Sequence, residues 1–310
     1  MAAYLDLYHS GKLAERIEAA RELLQNCQVC SRQCHINRLA DKKAKCNTGR
    51  LAIVSNYGPH FGEEAPLVGK RGSGTIFFTN CNLKCLFCQN YTISQLGDGT
   101  EVTREELARM MLSLQTRGCH NINFVSPTHV VPQILEALDV AINLGLTLPL
   151  VYNSGGYDSL ETLKILDGII DIYMPDMKYS DEKIAEELSA IKNYPSVNRA
   201  ALKEMHRQVG DLQMDEDGIA VRGLLIRHLV LPHGLAGTKE ITKFIAEELS
   251  RNSYVNIMAQ YHPCHKAFQI PQLSRPLSRQ EFLEAIELAQ KAGLNRLDKP
   301  YAVIARVIRL

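Results

Sequence analysis

From residue 74 onward, short apolar runs alternate with segments of helical period. The runs are Thr75–Phe78, Ile122–Val125, Leu148–Tyr152, Ile169–Met174, Leu224–Leu231 and Val255–Ala259. Helical patterns cover Glu105–Leu114, Pro132–Leu144, Glu161–Leu166, Glu182–Ile191, Lys239–Leu249 and Gln280–Ala292. The first of these opens with Thr103-Arg-Glu-Glu106, a capping box. Six strand–helix units in series predict a parallel sheet with right-handed crossovers, which a doubly wound sheet and a partial or complete barrel would both satisfy. Residues 192–222 read as an insertion, with one helical pattern and an Asp217-Gly218 hairpin turn.

Ahead of the repeat the pattern is different. Leu13, Ile17, Ala20 and Leu24 predict an amphipathic helix over 11–26. Residues 27–46 are polar and basic without periodicity, and Gly58-Pro59 and 69–74 carry turn signals. The chain therefore divides into an extension, 1–73, and a strand–helix domain, 74–310.

Composition narrows the function classes. The apolar share, 45 % of 310 residues, suits a globular core. Thirty-five basic and 34 acidic residues leave a formal charge of +1. That balance gives no footprint for nucleic acid or for an anionic membrane surface. The first residues show no secretory pattern, and no apolar run approaches the roughly 18 residues of a membrane span, so a cytoplasmic protein is expected.

Seven of the nine cysteines fall into two groups, with Cys119 and Cys264 left over. In a reducing compartment, clustered cysteines favour metal or redox chemistry over disulfides. Cys119, after Gly118 and before a strand, reads as a small buried hydrophobe. The central group, Thr79-Asn-Cys81-Asn-Leu-Lys-Cys85-Leu-Phe-Cys88-Gln-Asn-Tyr91, follows the first strand directly. Structural zinc usually takes four ligands. A cubane cluster is normally bound by four thiolates, so three local ones leave one iron open to a substrate or cofactor. In barrels, working groups gather at such strand ends. A zinc loop completed by a distant ligand is the competing reading.

The C-x3-C-x-aromatic-C pattern, with Phe87 as the aromatic, resembles the radical S-adenosylmethionine (SAM) superfamily. The stretch Pro59-His-Phe-Gly-Glu-Glu64 and Gly72-Ser-Gly74 is similar to that of uncharacterised relatives of pyruvate formate-lyase activating enzyme. The resemblance runs from about residue 27 to 294. It implies an α/β fold, a partial (β/α)6 TIM-like barrel with an N-terminal cysteine-rich metal-binding extension. It also implies a [4Fe-4S] cluster on Cys81, Cys85 and Cys88 that binds SAM, with reductive cleavage to a 5′-deoxyadenosyl radical that takes hydrogen from a substrate. Reduced flavodoxin or ferredoxin would be the electron donor, under anaerobic conditions.

The resemblance also places the SAM contacts. After the second strand such proteins carry Gly-Gly-Glu, whereas this chain has Ser126-Pro-Thr128-His, leaving the Ser126 and Thr128 hydroxyls as acceptors for the ammonium. Asn153 and Ser154, before Gly155-Gly156, match a pair near the ribose and a monovalent cation. Asp176 and Lys178 match an Asp-x-Lys element beside SAM, although a self-satisfying ion pair fits the same residues. Arg227 would face the methionine carboxylate or the substrate, and His262 the adenosyl part.

Cys27-x2-Cys30-x3-Cys34-x11-Cys46 supplies four further thiolates, for which a second iron–sulfur cluster and zinc both remain open, with His35 as a spare ligand. The leading expectation is an enzyme making a substrate radical, as an activase of a glycyl-radical protein. Modification of a peptide or small metabolite is the second, and a non-catalytic iron–sulfur or zinc protein the third.

Overall fold

The computed structural model describes residues 2–298. Strands in chain order are β1 (Ala52–His60), β2 (Ser73–Phe78), β3 (Thr100–Val102), β4 (Ile122–Val125) and β5 (Leu150–Ser154). They continue with β6 (Ile172–Pro175), β7 (Gln213–Met214), β8 (Ala220–Leu229), β9 (Tyr254–Met258) and β10 (Arg296–Leu297). The helices are α1 (Tyr4–His9), α2 (Lys12–Glu22), α3 (Ala65–Val68), α4 (Tyr91–Ser94), α5 (Arg104–Thr116) and α6 (Val131–Asn143). After them come α7 (Leu160–Ile165), α8 (Glu182–Ser189), α9 (Tyr194–Val209), α10 (Thr238–Phe244) and α11 (Arg279–Lys291).

The six expected strands are β2, β4, β5, β6, β8 and β9, paired in parallel in that order. This is the open, partial-barrel sheet. Alternation along each strand sorts its side chains. Outward residues such as Ile76, Phe124, Tyr152, Tyr173, Ile226 and Val255 join the main core with α5, α6 and α11. Inward residues Val151, Ile172, Met174 and Leu225 meet Leu67 of α3 and Leu212 in a separate apolar plug. The polar inward residues, one or two positions further along the same strands, line a cavity beyond this plug.

Two elements differ from the sequence reading. Residues 52–60, which include the Gly58-Pro59 turn signal, form strand β1, antiparallel to β2 and β3. The division at 73/74 falls just inside β2, after its first residue, and the β1 of the extension is hydrogen-bonded to β2 in one sheet. The segment read as an insertion contains α9, whose Ala201, Leu202, Met205 and Val209 enter the main core. Thus α9 takes the crossover position between β6 and β8. Helix α8 instead packs on the cysteine loop, where its Leu188 and Ser189 carbonyls accept from Leu86 and Lys84 N–H. The hairpin turn over Asp215–Gly218 joins β7 to β8 as expected.

The capping box at Thr103 and Glu106 is present. Cys119 is buried in the core. Among the described residues no helix is long and apolar enough to cross a membrane.

Candidate cluster and cofactor site

A cavity of about 950 Å3 opens at the C-terminal end of the parallel strands. Cys81, Cys85 and Cys88, on the loop after β2, all line it. Each sulfur has a polar neighbour at hydrogen-bond distance, and Cys81 Sγ also lies 3.8 Å from Asn82 Oδ1. Leu83 N–H donates to Cys81 Sγ at 3.5 Å, Ser189 Oγ to Cys85 Sγ at 3.0 Å, and Ser94 Oγ lies 3.1 Å from Cys88 Sγ. Burial pushes the Cys85 thiol up to about 12, only partly offset by the Lys178 ammonium, and burial also raises Cys81. Such thiols ionise when a metal takes the proton's place.

The donor set fits an iron–sulfur cluster: three soft sulfurs on a cavity wall, with hydrogen bonds of the kind that tune cluster potentials. Among the described residues, no three His, Cys, Asp or Glu side chains are gathered as a ready site for a single metal ion.

Across the cavity stands a charged group built from strand ends. Asp176 accepts from Lys178 Nζ at 2.6 Å and from Arg227 Nε at 2.9 Å. Burial raises the Asp176 carboxyl, but the two cations outweigh it and hold it below the usual carboxylate value. Arg227 Nη2 donates to Asn153 Oδ1 at 2.7 Å. Asn153, Asp176, Lys178 and Arg227, predicted from four separate positions on β5, β6 and β8, therefore meet in one hydrogen-bonded cluster. Ser126 also lines the cavity, with φ +59°.

The other predicted contacts are engaged by partners within the protein. Phe87 is buried between the rings of Tyr179 and Tyr261, behind the cysteine loop. Thr128 donates to Asp158 Oδ1 at 2.7 Å and is buried away from the cavity. Ser154 lines the cavity, yet its hydroxyl donates to Asp158 Oδ2 at 2.7 Å. His262 is exposed, its Nδ1 3.2 Å from Gln89 Nε2.

Asp158 was not legible as a site residue. It accepts a third hydroxyl, Tyr152, at 2.8 Å, and burial still raises its carboxyl. It is reached through Gly156, whose φ of +72° and crowding by Asp176 O and Asn198 leave no room for a Cβ.

The extension docks on this same region. Cys30 forms a β-bridge with Asp158, and Ser31 Oγ donates to Asp158 O at 2.8 Å. Arg32 donates to Asn82 O inside the cysteine loop and to Ala190 O after α8. Cys27, Cys30 and Cys46 are buried, Cys34 partly so. Burial pushes the Cys30 thiol up to about 12, and the field of Cys46, Cys27 and Cys34 adds to it. All nine cysteines are free thiols.

Glu63, Glu64 and Asn256 also line the cavity and were missed. Two adjacent acids before Ala65-Pro66, and an Asn interrupting an apolar strand, were the signals available.

The radical SAM superfamily profile matches residues 75–211. An uncharacterized protein of Methanocaldococcus jannaschii is 33 % identical over 294 residues, covering 90 % of this chain and 79 % of its own. Among solved structures, HydG, a maturase of the FeFe-hydrogenase, superposes with TM-score 0.51 at 13 % identity, over 76 % of this chain and 53 % of that one. That likeness speaks for the fold alone. A radical SAM methyltransferase from Sphaerobacter thermophilus gives TM-score 0.45 at 11 % identity, over 75 % of this chain and 69 % of that one.

Proposed function

The chain belongs to the radical SAM superfamily, and from that premise we propose that it activates a partner protein by taking a hydrogen atom from it, as the activases of glycyl-radical enzymes do. Membership makes it an enzyme that binds a [4Fe-4S] cluster and SAM. When bound, these supply reductive cleavage of the sulfonium and a 5′-deoxyadenosyl radical.

The protein's own part is to bind, orient and exclude water. The observation that carries the reading is the placement of three cysteines on one wall of an open cavity, facing the Asp176–Lys178–Arg227 cluster on the other. Cys81, Cys85 and Cys88 hold the cluster. Lys178 keeps N–H groups free of Asp176 for a carboxylate or ribose hydroxyl. Ser126 offers a hydroxyl to the SAM ammonium. Asn153 and Asp176 shape the floor under the ribose through Arg227. His262 meets the adenosyl group once its Gln89 contact opens.

Cys27, Cys30, Cys34 and Cys46 hold a second metal in this reading, an iron–sulfur cluster in preference to zinc, and reduced flavodoxin or ferredoxin is the donor. The test is anaerobic incubation of the loaded enzyme, reductant and SAM with a glycyl-radical protein encoded beside it. The expected result is the EPR doublet of a glycyl radical. No doublet, with turnover of a peptide or metabolite instead, favours the second substrate class.

A further inference from the structure

Arg38 sits in the cysteine-rich segment, between Cys34 and Cys46, and is only 1 % exposed. No other arginine or lysine among the described residues is so enclosed. Nε donates to Gly49 O at 3.1 Å and Nη1 to His129 O at 2.7 Å, while Nη1 also lies 3.9 Å from Cys27 Sγ. Nη2 has no partner, and among the described residues the guanidinium forms no ion pair with a carboxylate. Lys178 and Arg227, by contrast, share Asp176.

A guanidinium is always charged, and burying a charge without a counter-ion is costly. Carbonyl oxygens satisfy its N–H groups but leave its charge in place. The field is felt next door. Burial first, and then the charge of Arg38, lower the His129 imidazole to about 3, so that ring is neutral and supplies no counter-charge. What borders the guanidinium instead is the sulfur of Cys27, one of the extension's cysteines. A neutral thiol compensates nothing, whereas a metal-bound thiolate does. Four thiolates outweigh the charge of a zinc ion or of a cubane core, so either centre is an anion.

We propose that Arg38 is the built-in counter-ion of an anionic metal centre on Cys27, Cys30, Cys34 and Cys46, facing it through Cys27 Sγ. The inference rests on the reading of a second metal in the extension and adds the residue that neutralises it. Nothing has to reach the guanidinium from the cavity. The centre's ligands are its neighbours in the same segment, where metal binding is coupled to folding.

The experiment is chelator challenge and thermal unfolding of the loaded full chain, for wild type, Arg38→Gln, Cys30→Ser and the double variant. Metal content is measured for each. Arg38→Gln keeps an amide but loses the charge. It is expected to release the metal that depends on Cys30 at least tenfold faster, with a lower Tm. In the Cys30→Ser background, where the anion is lost, the same substitution is expected to leave Tm unchanged or raised. An equal loss of Tm in both backgrounds would mean that Arg38 acts through its carbonyl bonds alone, and would overturn the proposal. Should the Gln variant not fold, Arg38→Lys decides by itself. It keeps the charge, so retained metal is expected and loss of metal overturns the inference. Failure of the second-metal reading is distinguishable. Wild type and Cys30→Ser would then contain the same metal, and the inference would fall with that reading.

Discussion

Ser189 donates its hydroxyl proton to Cys85 Sγ at 3.0 Å, joining the end of α8 to the cysteine loop 104 positions earlier in the chain. A hydroxyl has one proton to give. Tyr179, 2.7 Å from Ser189 Oγ, must therefore be the donor in that second contact. Burial holds the Tyr179 phenol far above its usual value, so it keeps its proton. The result is a directed relay, Tyr179 to Ser189 to Cys85, ending on one of the three thiols proposed to hold the cluster.

With the proposed cluster bound, that relay would stabilise its more negative, reduced state. Ser189→Ala is expected to lower the reduction potential by about 50 mV, roughly 1 kcal/mol for one electron. Ser189→Thr retains the hydroxyl and stays near wild type. An EPR-monitored potentiometric titration of both variants measures this directly.

Asp158 ties three layers together through the Thr128, Tyr152 and Ser154 hydroxyls and the Cys30 bridge. Asp158→Ala leaves three buried hydroxyls without their acceptor. The expected loss is about 3 kcal/mol or more in denaturant unfolding. Limited proteolysis should then cut first within residues 27–46.

Acid should act through Asp176. Its carboxyl is held below the ordinary value, near 3.9 for an unfolded Asp. Its stabilising contribution is therefore complete above that value and drains away as pH falls through the lower folded one. Asp176→Asn is expected to cost about 3 kcal/mol at pH 7, because Lys178 and Arg227 lose their shared counter-charge. Once pH has fallen below that lower folded value, the wild-type and variant stabilities should converge. Urea unfolding at a series of pH values checks both.

What the sequence disclosed follows from what kind of pattern each feature leaves. The parallel strands were legible because their apolar runs are separated by helical periods, and the cysteine motif because its spacing is local. Asn153, Asp176 and Arg227 could be named one at a time, but their mutual hydrogen bonds depend on β5, β6 and β8 being neighbours. β1 escaped because Gly58 and Pro59 lie inside it. The roles of α8 and α9 were exchanged, since both have helical period and only packing tells which covers the sheet. Thr128 and Phe87 carried suitable chemistry, but Asp158 and two tyrosine rings claim them. Glu63 and Glu64 entered only as part of the resembling stretch, because their place on the cavity wall depends on how β1 and α3 pack beside the parallel strands.

The extension yields a compositional prediction. Cys30→Ser is expected to reduce iron content and visible absorbance per chain without abolishing SAM cleavage, whereas zinc in wild type with no change in iron would assign the group to zinc. Metal analysis of the two purified proteins decides between them.

Cys81, Cys85 and Cys88 are proposed to hold the cluster at which SAM is cleaved. The most direct measurement is 5′-deoxyadenosine formed by the anaerobically loaded protein with dithionite and SAM. Wild type is expected to form it, and Cys81→Ala, Cys85→Ala and Cys88→Ala each to fall to background. No 5′-deoxyadenosine from a wild type with full cluster occupancy, or undiminished product from any of the three variants, would contradict the account.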